Sequence, residues 1–196
     1  MAQEDPVRRG AARTATLVAV PVALGVLLVS ALAYGGFGTD EPAPAATGPV
    51  TMAARDLQDE TAVACQKLIA DLPETAAGHA RRAVTAGAEQ NAAYGDPAIT
   101  LECGTAQATV GLTDEVFNLA PPGGSGGGVC WYPAAGDNAT IWTTVDRRVP
   151  VTVTVPGARE GSAQSLVAFV AAIGTDLPQR EPAEIPTGCG PTPPTN

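Results

Sequence analysis

A run of apolar residues near the start, Ala15 to Tyr34 (ATLVAVPVALGVLLVSALAY), contains no charged side chain. About twenty residues rising ~1.5 Å each span about 30 Å, the thickness of a bilayer's hydrocarbon core. Arg8, Arg9 and Arg13 precede the run, whereas Asp40 and Glu41 follow it. The positive-inside rule then keeps residues 1–14 in the cytoplasm and sends everything after Tyr34 outside. Pro21 and Gly25 are compatible with a membrane helix, where water does not compete for the freed backbone groups. A cleaved signal peptide is the rival, because Ala31-Leu32-Ala33 offers a small-x-small cleavage site. The length of the run favours a transmembrane helix over residues 15–34 and a single-pass cell-membrane protein. Secretion after cleavage following Ala33 is the alternative, and both readings export the remainder of the chain.

The balance of charge narrows the partners. The whole chain of 196 residues has a formal net charge of -9 and only 16% charged residues. From Gly35 onward it holds eight basic against eighteen acidic residues. Nucleic-acid recognition needs a basic stripe, and an acidic domain does not adhere to anionic lipid by charge, so the expected membrane contact is the N-terminal span alone. Glycine (22) and proline (18) are frequent enough to put much of the chain in loops and linkers. Residues 35–52, a Pro/Ala/Gly mixture without apolar period, read as a tether. An extracytoplasmic domain then covers residues 53–178, and residues 179–196 form a Pro-rich tail pinned, if anywhere, at Cys189.

Within the domain the apolar periods mark the elements. Cys65, Leu68, Ile69 and Leu72 form one helical stripe, with Asp56, Asp59 and Glu60 in the early turns and Pro73 as the stop. An Ala-rich stretch suggests a short helix around Arg81 to Asn91. Ile99–Cys103, Gln107–Leu112, Val129–Tyr132, Thr140–Val145 and Val149–Val155 read as strands; in the last, valines alternate with Thr and Pro, one side dry and one wet. Pro150 favours an edge strand or a strand start. A helix from Ser162 to Leu177 presents Leu166, Phe169, Val170 and Ile173, with Ser162 as N-cap and Pro178 as its end. The expectation is an α+β fold: a two-layer sandwich with an antiparallel sheet of four or five short strands and two helices on one face.

These residues also carry a resemblance. Ala64-Cys65-x-x-Leu68, Asp71-Leu72-Pro73, the run Tyr94 to Gly104 (YGDPAITLECG), Gly128-Val129-Cys130-Trp131, Thr143 to Arg147 and the valine–threonine run ending at Pro156 resemble the DUF3515 family of actinobacterial exported proteins of unknown function. The likeness spans roughly Ala62 to Leu177 and implies one N-terminal membrane or signal segment, but no reaction. Two departures stand out: Tyr94 replaces the family's usual Trp, and Cys130 replaces its usual Asp. The resemblance makes Cys65 and Cys103 the family pair and leaves Cys130 and Cys189 as an addition, so disulfides Cys65–Cys103 and Cys130–Cys189 are preferred among the three connectivities. The first would clamp helix to strand and contribute roughly 3–4 kcal/mol by chain entropy.

Other chemistries find little support in the spacing. There is no CxxC or HxxxH, and His79 is the only histidine, so no metal or cofactor is expected. Gly123-Gly124-Ser125-Gly126-Gly127 matches GxSxG in letters, but its Pro and Gly flanks provide no strand, elbow or helix. Asp96, Glu102, Asp114, Glu115, Asp137 and Asp146 could supply paired carboxylates to an enzyme acting on envelope polymers, yet no spacing selects two of them. An interaction surface of Trp131, Trp142 and Arg147 is the sharper hypothesis; its plain competitor packs both tryptophans under a helix. The reading is a non-enzymatic binding or accessory module of the cell envelope, with an envelope protein or a glycan as partner. The alternatives are that enzyme or a purely structural envelope protein.

Overall fold

The computed structural model describes residues 48–123 and 128–189. The apolar run of residues 15–34 lies outside them. Among the described residues, no helix is long and apolar enough to cross a membrane.

Helix α1 (Asp59–Asp71) is followed by β1 (Thr75–Ala76), β2 (His79–Arg82), β3 (Asn91–Tyr94), β4 (Ile99–Cys103), β5 (Phe117–Leu119), β6 (Val129–Gly136), β7 (Ala139–Thr144) and β8 (Val151–Pro156). A 3₁₀ turn (Ser162–Leu166) leads into α2 (Val167–Asp176). The strands form one sheet in the order β1-β2-β3-β4-β8-β7-β6-β5, every neighbouring pair antiparallel. The α+β class therefore holds, but the sheet has eight strands rather than four or five. The strands without a periodic signal, β1, β2, β3 and β5, have two to four residues each. Such lengths show no alternation, and short strands at the two edges leave little unpaired backbone.

Register explains which face is dry. Leu101 pairs with Val153, and Val153 pairs with Trp142, so one row of large apolar side chains crosses the three central strands on the same face. Tyr94, Trp131 and Phe117 join that face on the flanking strands. The stripe of α1 (Cys65, Leu68, Ile69) and Phe169, Val170 and Ile173 of α2 enter the same buried cluster. Both helices thus cover one side of the sheet. Tyr94 and Phe169 stack at 5.5 Å, and the Tyr94 hydroxyl donates to the Pro73 carbonyl at 2.8 Å, which satisfies its one polar atom. Trp142 donates Nε1–H to Ser162 Oγ at 3.1 Å. Ser162 is therefore spent on the tryptophan and on the Arg159 carbonyl, and Gly161 takes the N-cap position expected of it.

The segment Arg81–Asn91 is not a helix. Arg81 and Arg82 pair with Tyr94 and Ala93, and the sheet's pairing prevails over the alanines' helix propensity. Gln107–Leu112 is irregular rather than a strand, with the Gly111 N–H donating to Asp114 Oδ2 at 2.8 Å. Pro150 precedes β8, which lies centrally, so it marks a strand start and not an edge.

The domain also begins earlier than Ala53. Val50 forms a bridge with Val84, and the buried Gln90 side chain bonds both the N–H (2.9 Å) and the carbonyl (3.0 Å) of Arg55. Asn91, equally buried, donates to the Ala53 and Ala86 carbonyls. Two buried amides thus exchange their water for the backbone of residues 53–55, and residues 50–55 belong to the folded domain.

Cys65 and Cys103 are bonded to each other in the centre of the core, fully buried, joining α1 to β4 across a sequence separation of 38. Replacing both with serine is expected to cost about 4 kcal/mol of unfolding free energy, read from urea denaturation of oxidised wild type and the double variant.

Candidate functional site

Trp131, Trp142 and Arg147 do not form a surface. Their relative exposures are 0%, 1% and 2%. The register turns both indoles onto the dry face, where Phe117 meets Trp142 edge-on at 5.3 Å. The candidate surface is corrected to core, and its competitor holds: both tryptophans pack under the helices, as a chain with only 4% aromatic residues needs them to.

Arg147 instead belongs to a buried charge pair at the end of β7. Its Nε faces Asp146 Oδ1 at 3.5 Å, and neither atom has a hydrogen-bond partner among the described residues. The remaining guanidinium nitrogens donate to the carbonyls of Leu177 (3.2 Å) and Gly128 (2.5 Å). Arg147 therefore ties the end of α2 to the start of β6. Loss of hydration on burial holds the Asp146 carboxyl above its ordinary range, against the Arg147 charge, two backbone hydrogen bonds and the Gln179 side chain. Burial likewise pulls the Arg147 guanidinium below its usual range, and Asp146 opposes that.

The same segment clasps the C-terminal tail. Arg147 bridges Gln179, the Arg180 N–H donates to the Asp146 carbonyl at 2.9 Å, and the Arg148 N–H donates to the Pro178 carbonyl at 3.0 Å. Arg148 also pairs with Glu181 at 2.8 Å. Farther along, Cys189 is bonded to Cys130, whose side chain lies on the face opposite the helices. Cys130, Val145 and Cys189 form a second small core with Val110, Val116, Tyr132 and Ile185 packed against it. The tail is thus ordered to Cys189, and it covers one end of the sheet's outer face.

Folding the tail back creates a cleft of about 520 Å³ between it and the β5–β6 edge, walled by Asn118, Gly128, Gln179, Arg180, Ile185 and Pro186 among others. A neighbouring cavity of about 310 Å³ shares Arg180, Ile185, Pro186 and Thr187 and is also lined by Val110 and Leu112. A Cβ on Gly128 would meet the Asn118 amide oxygen, so any larger residue at this corner of the cleft would have to turn the Asn118 side chain aside.

The remaining candidates are dispersed. Glu102 pairs with Arg55 at 2.8 Å, Glu115 pairs with Arg159, and Asp137 sits in the β6–β7 turn. His79 lies on β2 against Gly95, whose φ of +72° and lack of Cβ let the ring approach. Among the described residues, no group of His, Cys, Asp or Glu could hold a metal ion. Ser125 lies outside the described residues. The tail cleft is not legible as a site in the sequence; its one signal is Cys189, eleven residues beyond Pro178, with Cys130 available to pair with it.

A family model described as a protein of unknown function (DUF3515) matches residues 16–182. No curated protein and no solved structure matches the chain.

Two outcomes follow from the buried pair. Arg147→Ala strands the Asp146 charge and is expected to lower stability by about 3–5 kcal/mol in urea denaturation, and Asp146→Asn/Arg147→Met should recover most of that. Because the folded Asp146 carboxyl titrates above its ordinary value of 3.8, the unfolded chain loses this proton first. Its contribution to stability therefore falls as pH rises from 3.8 through the raised folded value. Asp146→Asn should flatten that part of the denaturation midpoint-versus-pH curve; identical curves would refute the assignment.

Proposed function

Because the chain belongs to the DUF3515 family, whose function is unknown, its role must be argued from its own residues, and we propose a membrane-anchored, extracytoplasmic binding or accessory module of the cell envelope. The observation that carries the reading is the cleft assembled by the Cys130–Cys189 disulfide, since most of its wall comes from tail residues Gln179 to Cys189. Disulfides persist outside the cytoplasm, which agrees with export through the N-terminal apolar run. A concave site of this volume with apolar walls and a few polar groups suits a small ligand or the end of a chain.

Binding, rather than catalysis, is favoured by where the ionisable groups stand. The buried carboxyl with a raised pKa, Asp146, faces Arg147, and Glu102, Glu115 and Glu181 are each paired with an arginine. Surface carboxylates held in ion pairs do not converge on one reacting atom, as an acid–base pair must.

The reading is tested in membranes with the full-length protein. A photo-crosslinking residue at Thr187, in the cleft, is expected to capture an envelope protein or glycan reproducibly, whereas one at Thr154, on the open sheet face, is not. Cys189→Ser should abolish the capture. Equal capture at both positions, or capture indifferent to Cys189→Ser, would sink the cleft as the binding site. N-terminal sequencing of the cellular protein separates anchor from cleavage: an uncleaved start supports the span, and a start at Tyr34 supports secretion.

A further inference from the structure

Arg180 stands apart from the other arginines of the domain. Arg55, Arg148 and Arg159 each pair with a glutamate, and Arg81, Arg82 and Arg147 each donate to a backbone carbonyl at 3.0 Å or less. The hydrogen bond and ion pair of the Arg180 side chain are longer: the Val145 carbonyl at 3.5 Å and Glu184 at 3.6 Å. Its backbone is fixed, because its N–H is held by the Asp146 carbonyl. Its side chain, 25% exposed, stands where the two tail cavities meet and lines both. By contrast, the cavity of about 510 Å³ beside the β6–β7 hairpin contains Arg159, which is already paired with Glu115 and lies over the Phe117 ring at 5.2 Å.

Resting on the tail cleft as the binding site, we propose that it takes a carboxylate at the end of an apolar, amide-bearing chain, namely the C-terminus of a short peptide, with Arg180 receiving the carboxylate. A guanidinium fork matches the two oxygens of a carboxylate. One loosely held arginine beside Glu184, in a chain of net charge -9, suits one negative charge rather than the nearly two of a phosphate monoester. The groups around it fit the rest of such a ligand. Asn118 and Thr187 offer amide and hydroxyl partners for peptide groups, and Ile185 and Pro186 supply apolar wall. Leu112, fully exposed at 103% where most leucines of the domain are buried, lines the neighbouring cavity and stands ready to cover an apolar side chain.

The experiment uses the oxidised full-length protein in detergent micelles and isothermal titration calorimetry with four probes. They are acetyl-Leu-Val-Leu as its free acid, the same peptide as its C-terminal amide, hexanoate, and inorganic phosphate. The free acid is expected to bind about tenfold or more tightly than the amide. Arg180→Gln should erase that difference and Arg180→Lys should keep part of it. Leu112→Ser, at a fully exposed position that folding does not use, should weaken the peptide acid severalfold. Equal binding of acid and amide, an unchanged preference in Arg180→Gln, or no binding of either peptide overturns the proposal. Hexanoate binding as tightly as the peptide acid overturns the peptide terminus in favour of an aliphatic acid, and phosphate binding more tightly overturns the monoanion argument. Crosslinking at Thr187 separates this from failure of the broader reading. Cleft capture that is unaffected by Arg180→Gln overturns the carboxylate assignment alone, and no cleft capture removes both.

Discussion

Leu101, Val153 and Trp142 lie opposite one another across β4, β8 and β7, and this row determines which side of the sheet is dry. Side chains alternate along a strand, so a slip of one residue would bring Thr152, Thr154 and Thr100 to the helices and send the valines to water. Everything on the inner face depends on that register. Cys103 is brought opposite Val151 and so within reach of Cys65 on α1, and Trp142 is brought to Ser162 ahead of α2. The helices are then held to the sheet by a covalent bond at one end and a buried hydrogen bond at the other. They are joined to each other at the surface by Lys67, whose ammonium bonds both Asp71 and Asp176 and is held above its usual range chiefly by the bond to Asp176.

The outer face is divided between two environments. Over β4 and β8 it carries threonines, and the Thr105, Thr152 and Thr143 hydroxyls form a chain at 2.9 and 3.1 Å. Over β6 it carries Cys130 and Tyr132, and there the tail and the Val110–Val116 loop cover it. Asp146 and Arg147 follow β7 by two and three residues and contact both the helix layer, at Leu177, and the tail, at Gln179 and Arg180. A buried pair of this kind contributes little net stability, since desolvation of both charges consumes most of their attraction. What it contributes is position: a guanidinium with fixed donors can bond Leu177 and Gly128 only in one arrangement, which fixes where the tail departs.

Much of the inner face was legible in the sequence. The stripes of α1 and α2 and the alternation of β4 and β8 are periodic because one side of each meets water, and the buried sets match them. The edge strands were not legible, since two to four residues cannot show a period and their pairing is imposed by neighbours distant in sequence. Trp131, Trp142 and Arg147 show the limit most clearly. Aromatic and arginine side chains serve interfaces and cores alike, and only the register and the position of α2 decide between the two. The tail is pinned at Cys189 as the sequence suggests, but its other contacts are not legible: a Pro-rich composition indicates a lack of regular structure, not a lack of contacts, and a disulfide with a few hydrogen bonds orders it up to Cys189.

The two disulfides therefore differ in what they secure. Cys65–Cys103 lies within a core that also contains Leu68, Leu101 and Val151, so it reinforces an arrangement that apolar burial already favours. Cys130–Cys189 closes over a cluster of three buried residues, too small to hold an irregular segment against its conformational entropy by burial alone. The first bond belongs to the fold and the second to the cleft. The bond between Cys130 and Cys189 holds an irregular segment against the sheet as one wall of a cavity. Of the polar groups lining that cavity, Gln179, Arg180 and Thr187 reside on the segment the bond retains, and Asn118 comes from β5.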